Sequence, residues 1–166
     1  MDFLAGIENS GFATWVRESS SVWAYPTVLF LHSIGLGFLV GVNAAINLGI
    51  LGFTPRLPLA PFEKFFPVMW FGFWVNAASG VVLLMIDATT FLANPVFYFK
   101  IVFIGLAIVV LRLLQKKVFR DPLLDKRPMP MNVKILAGVS LLLWTGAITA
   151  GRLTAYIGPV AALAGR

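Results

Sequence analysis

The sequence contains no cysteine and a single histidine, His32. Without thiolates, the chain alone cannot form a disulfide, a thiolate metal site, a covalently attached c-type haem or an iron–sulfur cluster. Charged residues are also scarce, at 12% of the chain, whereas soluble domains average about 25%. The sequence therefore excludes cysteine-dependent cofactors and disfavours a soluble fold.

Apolar residues make up 59% of the 166 positions and concentrate in four long runs. A run of about 20 apolar residues is long enough for a helix to cross the hydrocarbon core of a bilayer. The sequence thus predicts an all-α membrane protein, a four-transmembrane-helix bundle that forms a single membrane domain over residues 1–166. The predicted spans are residues 22–50, 65–86, 96–114 and 135–157. Apolar residues at helical spacing before the first span predict a short N-terminal interfacial helix over residues 3–18.

Prolines mark the start of three of the spans. Pro26, Pro67 and Pro95 fall in or near a first helical turn, where the missing N–H is harmless. Asn94 directly before Pro95 is typical of a helix N-cap. Three further prolines between residues 52 and 63 predict a non-helical connection between the first two spans.

Basic residues are unevenly divided between the two sides of the predicted bundle. Most belong to the two connections on one side: Arg56, Lys64, Arg112, Lys116, Lys117, Arg120, Lys126, Arg127 and Lys134. The opposite side carries Arg17, Lys100, Arg152 and Arg166. The positive-inside rule then predicts that these two connections are cytoplasmic and that both termini face the periplasm or the exterior. We expect the basic connections to contact anionic lipid rather than nucleic acid.

Small residues at four-residue spacing predict where the helices approach one another. The first span has such a ridge, formed by Ser33, Gly37, Gly41, Ala45 and Gly49, and the second span has another, formed by Gly72, Asn76 and Gly80. Small residues let membrane helices approach closely. We expect these two ridges to face each other within one bundle; the alternative is that one of them mediates dimerisation.

His32 lies inside the first span, where an ionisable group is costly and often functional. A neutral imidazole can bind a metal or haem. A second histidine ligand would have to come from another protomer, and Met85 is the nearest methionine that could replace it. The alternative is a structural histidine that forms hydrogen bonds with Ser79, Asn76 or Thr149 of neighbouring helices.

The first and second spans each carry further polar residues at a spacing that repeats along one side of the helix. His32 and Asn43 are eleven residues apart, about three helical turns, as are Asn76 and Asp87. They could line a polar seam for a ligand, a proton or an ion, or they could simply form interhelical hydrogen bonds. Asp87 and Arg152 should lie at the same membrane face and could form an ion pair, with Lys100 as a competing partner of Asp87. The candidate ligand-binding residues are His32, Asn43, Asn76, Ser79, Asp87 and Arg152, with His32 as the candidate metal ligand.

Three segments resemble a known family. They are the stretch Leu31–Gly41, the stretch Trp144–Leu153, and Asp87-Ala88-Thr89 followed by Asn94-Pro95. They are similar to a widespread bacterial family of small four-helix integral membrane proteins of unknown function. That family is loosely similar to the membrane domain of copper-resistance D-type proteins, whose membrane histidines are thought to handle metal. The resemblance marks His32, Asp87 and Arg152 as family-typical positions, although a single histidine departs from a multi-histidine copper or haem site.

These observations favour a non-enzymatic inner-membrane subunit or accessory protein of a larger assembly, because the sequence offers no catalytic constellation and no large soluble loop. One alternative is a redox module that binds b-type haem or quinone through His32, either within one protomer or between protomers. Another is a metal or small-solute transporter that uses the polar seam. The expected partners are the lipid bilayer and either a second copy of the chain or another membrane protein, and no nucleic acid.

Overall fold

The structure, a computed structural model, describes residues 2–121, 124–126 and 128–164 and is helical through most of that length. Arg127 and Arg166, which contributed to the predicted orientation, lie outside the described residues. Two short helices, α1 (Asp2–Glu8) and α2 (Gly11–Glu18), precede the long helix α3 (Tyr25–Leu51). The remaining helices are α4 (Phe66–Ile86), α5 (Ala88–Ala93), α6 (Pro95–Leu114) and α7 (Met131–Ala164).

Four helical stretches of the described chain are long and apolar enough to cross a membrane. They are Tyr25–Leu51, Ala60–Ile86, Pro95–Phe119 and Met131–Thr154. The prediction of an all-α, multi-pass four-helix membrane protein is thereby confirmed. The observed helices match the first three predicted spans closely, whereas α7 begins before residue 135 and continues beyond residue 157.

Local chemistry explains most of the helix ends. Asn94 caps α6 as predicted, because its side-chain oxygen accepts a hydrogen bond from the Val96 N–H at 2.9 Å. Gly52 ends α3 with a φ of 92°, a left-handed conformation that glycine adopts at no steric cost. This turn lets the Phe53 N–H reach the Leu48 carbonyl at 3.0 Å. The proline-rich connection is not wholly non-helical as predicted, since Ala60–Phe65 forms a 3₁₀ helix with Pro61 in its first turn.

The predicted N-terminal helix is divided in two at Asn9 and Ser10. Ser10 caps α2, accepting a hydrogen bond from the Ala13 N–H at 3.3 Å. One oxygen of Glu8 accepts hydrogen bonds from both the N–H and the hydroxyl of Thr89, each at 2.8 Å. Arg17 donates to the Ile86 carbonyl at 3.2 Å. These contacts fasten α1 and α2 to the junction of α4 and α5, at what we call the N-terminal end of the bundle.

The opposite end, which we call the basic end, contains the connections before α4 and after α6. Asp125 joins them, since its two carboxylate oxygens accept hydrogen bonds from the N–H groups of Leu59 and Ala60 at 2.7 and 2.8 Å. Asp125 has a φ of 63°, a left-handed conformation that aspartate tolerates better than most residues. Phe66 and Phe119 pack edge to face there, with ring centroids 4.7 Å apart.

The four long helices pack as two pairs. α3 packs mainly on α4, α6 packs mainly on α7, and α3 and α7 join the two pairs. All four membrane helices meet in one buried cluster formed by Leu39, Met69, Ala107, Leu111 and Trp144. A second cluster, nearer the basic end, contains Ile46, Ile50, Leu59, Leu114, Val118, Val133 and Ala137.

The tightest contact between α3 and α4 forms at Gly35 and Gly72. A β-carbon added to Gly35 would lie 2.7 Å from both the Asn76 nitrogen and the Gly72 oxygen. Gly72 is as tightly enclosed, with Phe38 Cβ at 2.7 Å and the Gly35 oxygen at 2.8 Å from its added β-carbon. The ridge Gly72–Asn76–Gly80 therefore faces the first membrane helix, as predicted.

The corresponding prediction for α3 is wrong. An added β-carbon on Gly37 or Gly41 meets nothing within 4 Å, and Ser33, Gly37 and Gly41 are all exposed. Two residues correspond to a rotation of about 200° around a helix, so Gly37 points away when Gly35 faces α4. Gly49, at the end of the predicted ridge, packs against Leu59 instead.

We predict that Gly35→Ala lowers the free energy of unfolding by about 1–3 kcal/mol, because the new methyl group must push two helix backbones apart. The matched substitution Gly37→Ala should be neutral or stabilise the helix by up to about 1 kcal/mol. Equilibrium unfolding in mixed detergent, followed by circular dichroism, measures both. Equal effects of the two substitutions would contradict the assigned contact face.

Candidate functional site

His32 is held between α3 and α4 at membrane depth, two helical turns after the start of α3. Its Nδ1 atom lies 3.0 Å from the Asn76 carbonyl oxygen and 3.2 Å from the Ser79 hydroxyl. The Asn76 side-chain amide donates in return to the His32 carbonyl at 2.7 Å. Asn76 and Ser79 face His32 together because residues three apart share one side of a helix. The sequence alternative of hydrogen bonding to Asn76 and Ser79 is therefore realised, whereas Thr149 is exposed on α7.

The hydrogen bonds determine which ring nitrogen of His32 is free. The shortest contact of Nδ1 is to the Asn76 carbonyl, which can only accept, so in the neutral ring we assign the proton to Nδ1. The Asn76 amide also lies 3.4 Å from Nδ1, but its shorter bond, at 2.7 Å, is to the His32 carbonyl. The Ser79 hydroxyl donates to the Val75 carbonyl at 2.6 Å, which leaves its oxygen as an acceptor for the same proton. Within the described residues, Nε2 has no hydrogen-bond partner, and the side chain is only half-buried. His32 thus presents an unprotonated, oriented nitrogen, as histidine ligands of metals and haem do.

A glycine and a lysine complete the surroundings of the imidazole. A β-carbon on Gly80 would lie 3.2 Å from His32 Cε1, so the glycine lets the ring lie close to α4. Lys100 of α6 is near enough for its charge to act on the His32 ring. The Lys100 side chain lies against Gly151, where an added β-carbon would be 3.5 Å from Cε. Among the residues that the structure describes, Lys100 has no carboxylate partner.

A separate polar cluster lies between α3 and α7. The Asn47 amide donates to Asn43 Oδ1 and to Ser140 Oγ at 2.6 and 3.0 Å, and the Ser140 hydroxyl donates to Asn43 Oδ1 at 3.1 Å. The three side chains are 0 or 1% exposed. Three buried polar atoms near this cluster and in the next turn of α7 have no partner in the described structure: Asn43 Nδ2, Asn47 Oδ1 and Trp144 Nε1.

The predicted site residues are therefore distributed over separate places. His32, Asn76 and Ser79 lie together between α3 and α4, whereas Asn43 lies with Asn47 and Ser140 between α3 and α7. The hydrogen bonds of these two groups do not join them into one continuous seam. Ligand binding by these residues stays a prediction.

Asp87 and Arg152 do not form the expected ion pair. The one ion pair within the described part of the chain joins Arg17 and Glu18 at 3.2 Å. Asp87 is the single residue between α4 and α5, and the Arg152 side chain is exposed on α7. The carbonyl of Ile86, directly before Asp87, accepts a hydrogen bond from Arg17 of α2.

Sequence reasoning missed Ser140, and it did not place Lys100 near His32. Ser140 and Thr145 are the two hydroxyl side chains in the otherwise apolar run 135–148. The position of Ser140 in that run was a usable although weak signal. Lys100 lies six residues into a membrane span, where any ionisable group is expected to have a purpose. The described residues also contain no group of three or more His, Asp or Glu side chains placed to hold a metal ion. His32 could therefore act as one ligand of a cofactor, but not as part of such a cluster.

Comparison with known proteins gave no match among family models, curated proteins or solved structures. The resemblance to small four-helix membrane proteins therefore stays a prediction, and function has to be argued from the geometry.

We predict an energetic coupling of about 0.5–1.5 kcal/mol between Asn47 and Ser140, the range expected for hydrogen bonds between membrane helices. The measurement is a double-mutant cycle of Asn47→Ala and Ser140→Ala, from unfolding free energies in mixed detergent. Asn47→Ala paired with Ser33→Ala is the control, because Ser33 bonds only to the Leu29 carbonyl of its own helix. Additivity of the Asn47 and Ser140 substitutions would show that the hydrogen bond contributes no coupling.

Proposed function

We propose that this chain is a non-enzymatic inner-membrane subunit or accessory protein that associates through α3 with a second copy or with another membrane protein. The observation that supports this function is the ridge Ser33–Gly37–Gly41, which its own bundle leaves uncovered. The Ser33 hydroxyl donates to the Leu29 carbonyl at 2.9 Å, so its donor already has a partner within α3. The ridge therefore presents only small groups without a free hydrogen-bond donor. Such ridges bring membrane helices together by close backbone contact.

The surroundings of the ridge favour a protein rather than lipid as its neighbour. Large side chains flank the small ones, and Phe30, Ile34 and Phe38 are 40 to 60% exposed. A narrow strip of small residues between bulky ones forms a groove that a partner helix fills better than flexible acyl chains. The ridge also begins next to His32, so an associated helix would pass close to the free Nε2.

The proposed orientation places both termini in the periplasm. The two connections that carry most basic residues lie together, since Asp125 bonds to Leu59 and Ala60. The helices α1 and α2 lie at the opposite end, against the α4–α5 junction. The concentration of positive charge at one end supports a cytoplasmic location for that end.

Cysteine crosslinking tests the association, because the natural chain contains no cysteine. We expect Gly37→Cys and Gly41→Cys to give a covalent species on oxidation in native membranes, either a dimer of the 18.1 kDa chain or an adduct with one partner. Leu106→Cys is the control, since Leu106 is 49% exposed on α6 at a similar distance from its helix start. Crosslinking at the ridge that does not exceed the Leu106→Cys level, together with a monomer in mild detergent, would refute the proposal.

A second function, a redox module that contains b-type haem or quinone, is favoured by the single observation of the free Nε2 of His32. The Nδ1 bond to a carbonyl fixes the ring and its tautomer, which is the usual support of a histidine ligand. Bound haem would supply one-electron chemistry. His32 would hold the group through Nε2, and the half-buried Lys100 would offer a cation to an acidic group of the cofactor. A second ligand would come from another protomer or from a methionine.

We predict a Soret band in protein that is made with haem available, and its loss in His32→Ala. Leu106→Ala is the control, since Leu106 is exposed on α6, away from His32 and from the ridge, and should leave the band unchanged. Absorption spectra of the purified chain at equal concentration measure the three proteins. The absence of a Soret band, or an identical band in His32→Ala, would eliminate the haem version. Quinone extracted in equal amounts from the wild type and His32→Ala would eliminate the quinone version.

A further inference from the structure

A groove of about 290 Å³ lies at the basic end, between α4 and the end of α6. Its apolar lining is aromatic and comes from Phe66, Trp70 and Phe119. Its basic lining comes from Arg112, Lys116 and Arg120. The groove is separate from His32, which lies toward the other end of the bundle.

The three basic side chains reach the groove because of their spacing. Arg112, Lys116 and Arg120 follow one another at intervals of four residues, which places them along one side of a helix. The helix continues past the end of α6 as a π turn, Gln115–Phe119, so the row is not interrupted. The chain thus carries three successive positive charges beside one opening.

Arg112 is positioned by an aromatic ring. Its guanidinium carbon lies 4.0 Å from the centroid of the Trp70 ring. This cation–π contact orients the planar guanidinium without consuming its hydrogen-bond donors. Arginine held in this way is suited to bidentate binding of a phosphate.

Within the part of the chain that the structure describes, the charges of the groove are not neutralised by ion pairs. Glu63 also lines the groove, so it carries three basic groups and one acidic group. Within the described residues, none of these four side chains forms an ion pair. Like charges on successive turns repel one another. An anion in the groove would relieve that repulsion.

The groove joins two environments. Its aromatic side faces the membrane helices, and its basic side lies where α6 leaves the predicted hydrocarbon region. α4 packs mainly on α3, and α6 mainly on α7, so α4 and α6 make few direct contacts beside the groove. A free inorganic anion would use only the basic side. A molecule with a phosphate and acyl chains would use both.

We propose that this groove binds the headgroup of an anionic phospholipid, with its phosphate at Arg112, Lys116 and Arg120 and its glycerol and upper acyl chains against Trp70 and Phe66. Basic pockets between membrane helices on the cytoplasmic side are a recognised way of binding such headgroups. The lipid would add a further bridge between α4 and α6, beside the Phe66–Phe119 and Arg112–Trp70 contacts.

Native mass spectrometry of the full chain in mild detergent tests the site, by titration with dioleoylphosphatidylglycerol and with dioleoylphosphatidylcholine. The two lipids have the same acyl chains, so their affinity ratio isolates the anionic headgroup. We expect the wild type to prefer phosphatidylglycerol by about tenfold or more, since each basic residue near anionic lipid contributes roughly fivefold. A ratio near one in the wild type would overturn the proposal.

A matched pair of triple variants separates the groove from general charge. Arg112→Gln with Lys116→Gln and Arg120→Gln should lose the preference for phosphatidylglycerol. Lys117→Gln with Lys126→Gln and Lys134→Gln removes the same charge from side chains that do not line the groove, and should keep the preference. An equal loss in both triple variants would mean that diffuse charge binds the lipid, and would contradict a defined site.

Two further measurements keep the result clear. Arg112→Lys retains the charge but loses the planar guanidinium above Trp70, so it should weaken phosphatidylglycerol binding severalfold. This single variant tests the site independently if the triple variant does not fold. An unchanged affinity in Arg112→Lys would contradict the assigned role of Arg112. A large excess of inorganic phosphate should not displace the phospholipid. Displacement would identify the groove as a site for free anions and overturn its assignment to lipid.

Discussion

The close backbone contact between α3 and α4 determines the position of the polar groups in this bundle. Lipid supplies no hydrophobic drive for helix association, so helices are joined by close packing and by hydrogen bonds. Gly35 and Gly72 allow the two backbones to meet without intervening side chains. Because the backbones are so close, the Asn76 amide reaches the His32 carbonyl, and the His32 ring reaches the Asn76 carbonyl. The free nitrogen of His32 is therefore a consequence of a contact between glycines.

Three sides of α3 differ in what they contact. One side, with His32 and Gly35, packs on α4, and a second side, with Asn43 and Asn47, bonds to α7. The third side, which includes Gly37, is uncovered. Hydrogen bonds within the membrane thus account for most of the polar side chains of α3. This division weakens the case for a transport path along α3, because its two asparagines bond to each other and to Ser140 of α7.

The features that depend on local sequence were predictable. The length of an apolar run determines a span, and Asn94 before Pro95 determines a helix start. The contact face of α3 was not predictable, because it is marked by the single glycine Gly35, whereas spacing favoured the longer ridge from Ser33 to Gly49. Asp125 was also missed, since its two partners lie more than sixty residues away and nothing in its local sequence indicates them. The distance from His32 to Asn43 gave their common direction but not the helix that each one meets.

The acidic residues explain why so much positive charge remains available at one end. The chain has seven acidic residues against thirteen basic ones. Glu8 and Asp125, at opposite ends, both accept hydrogen bonds from backbone N–H groups rather than pairing with a lysine or arginine. Carboxylates used in this way hold the short helices and connections in place. Within the described residues, Arg112, Lys116 and Arg120 form no ion pair, and the proposed phospholipid site depends on that observation.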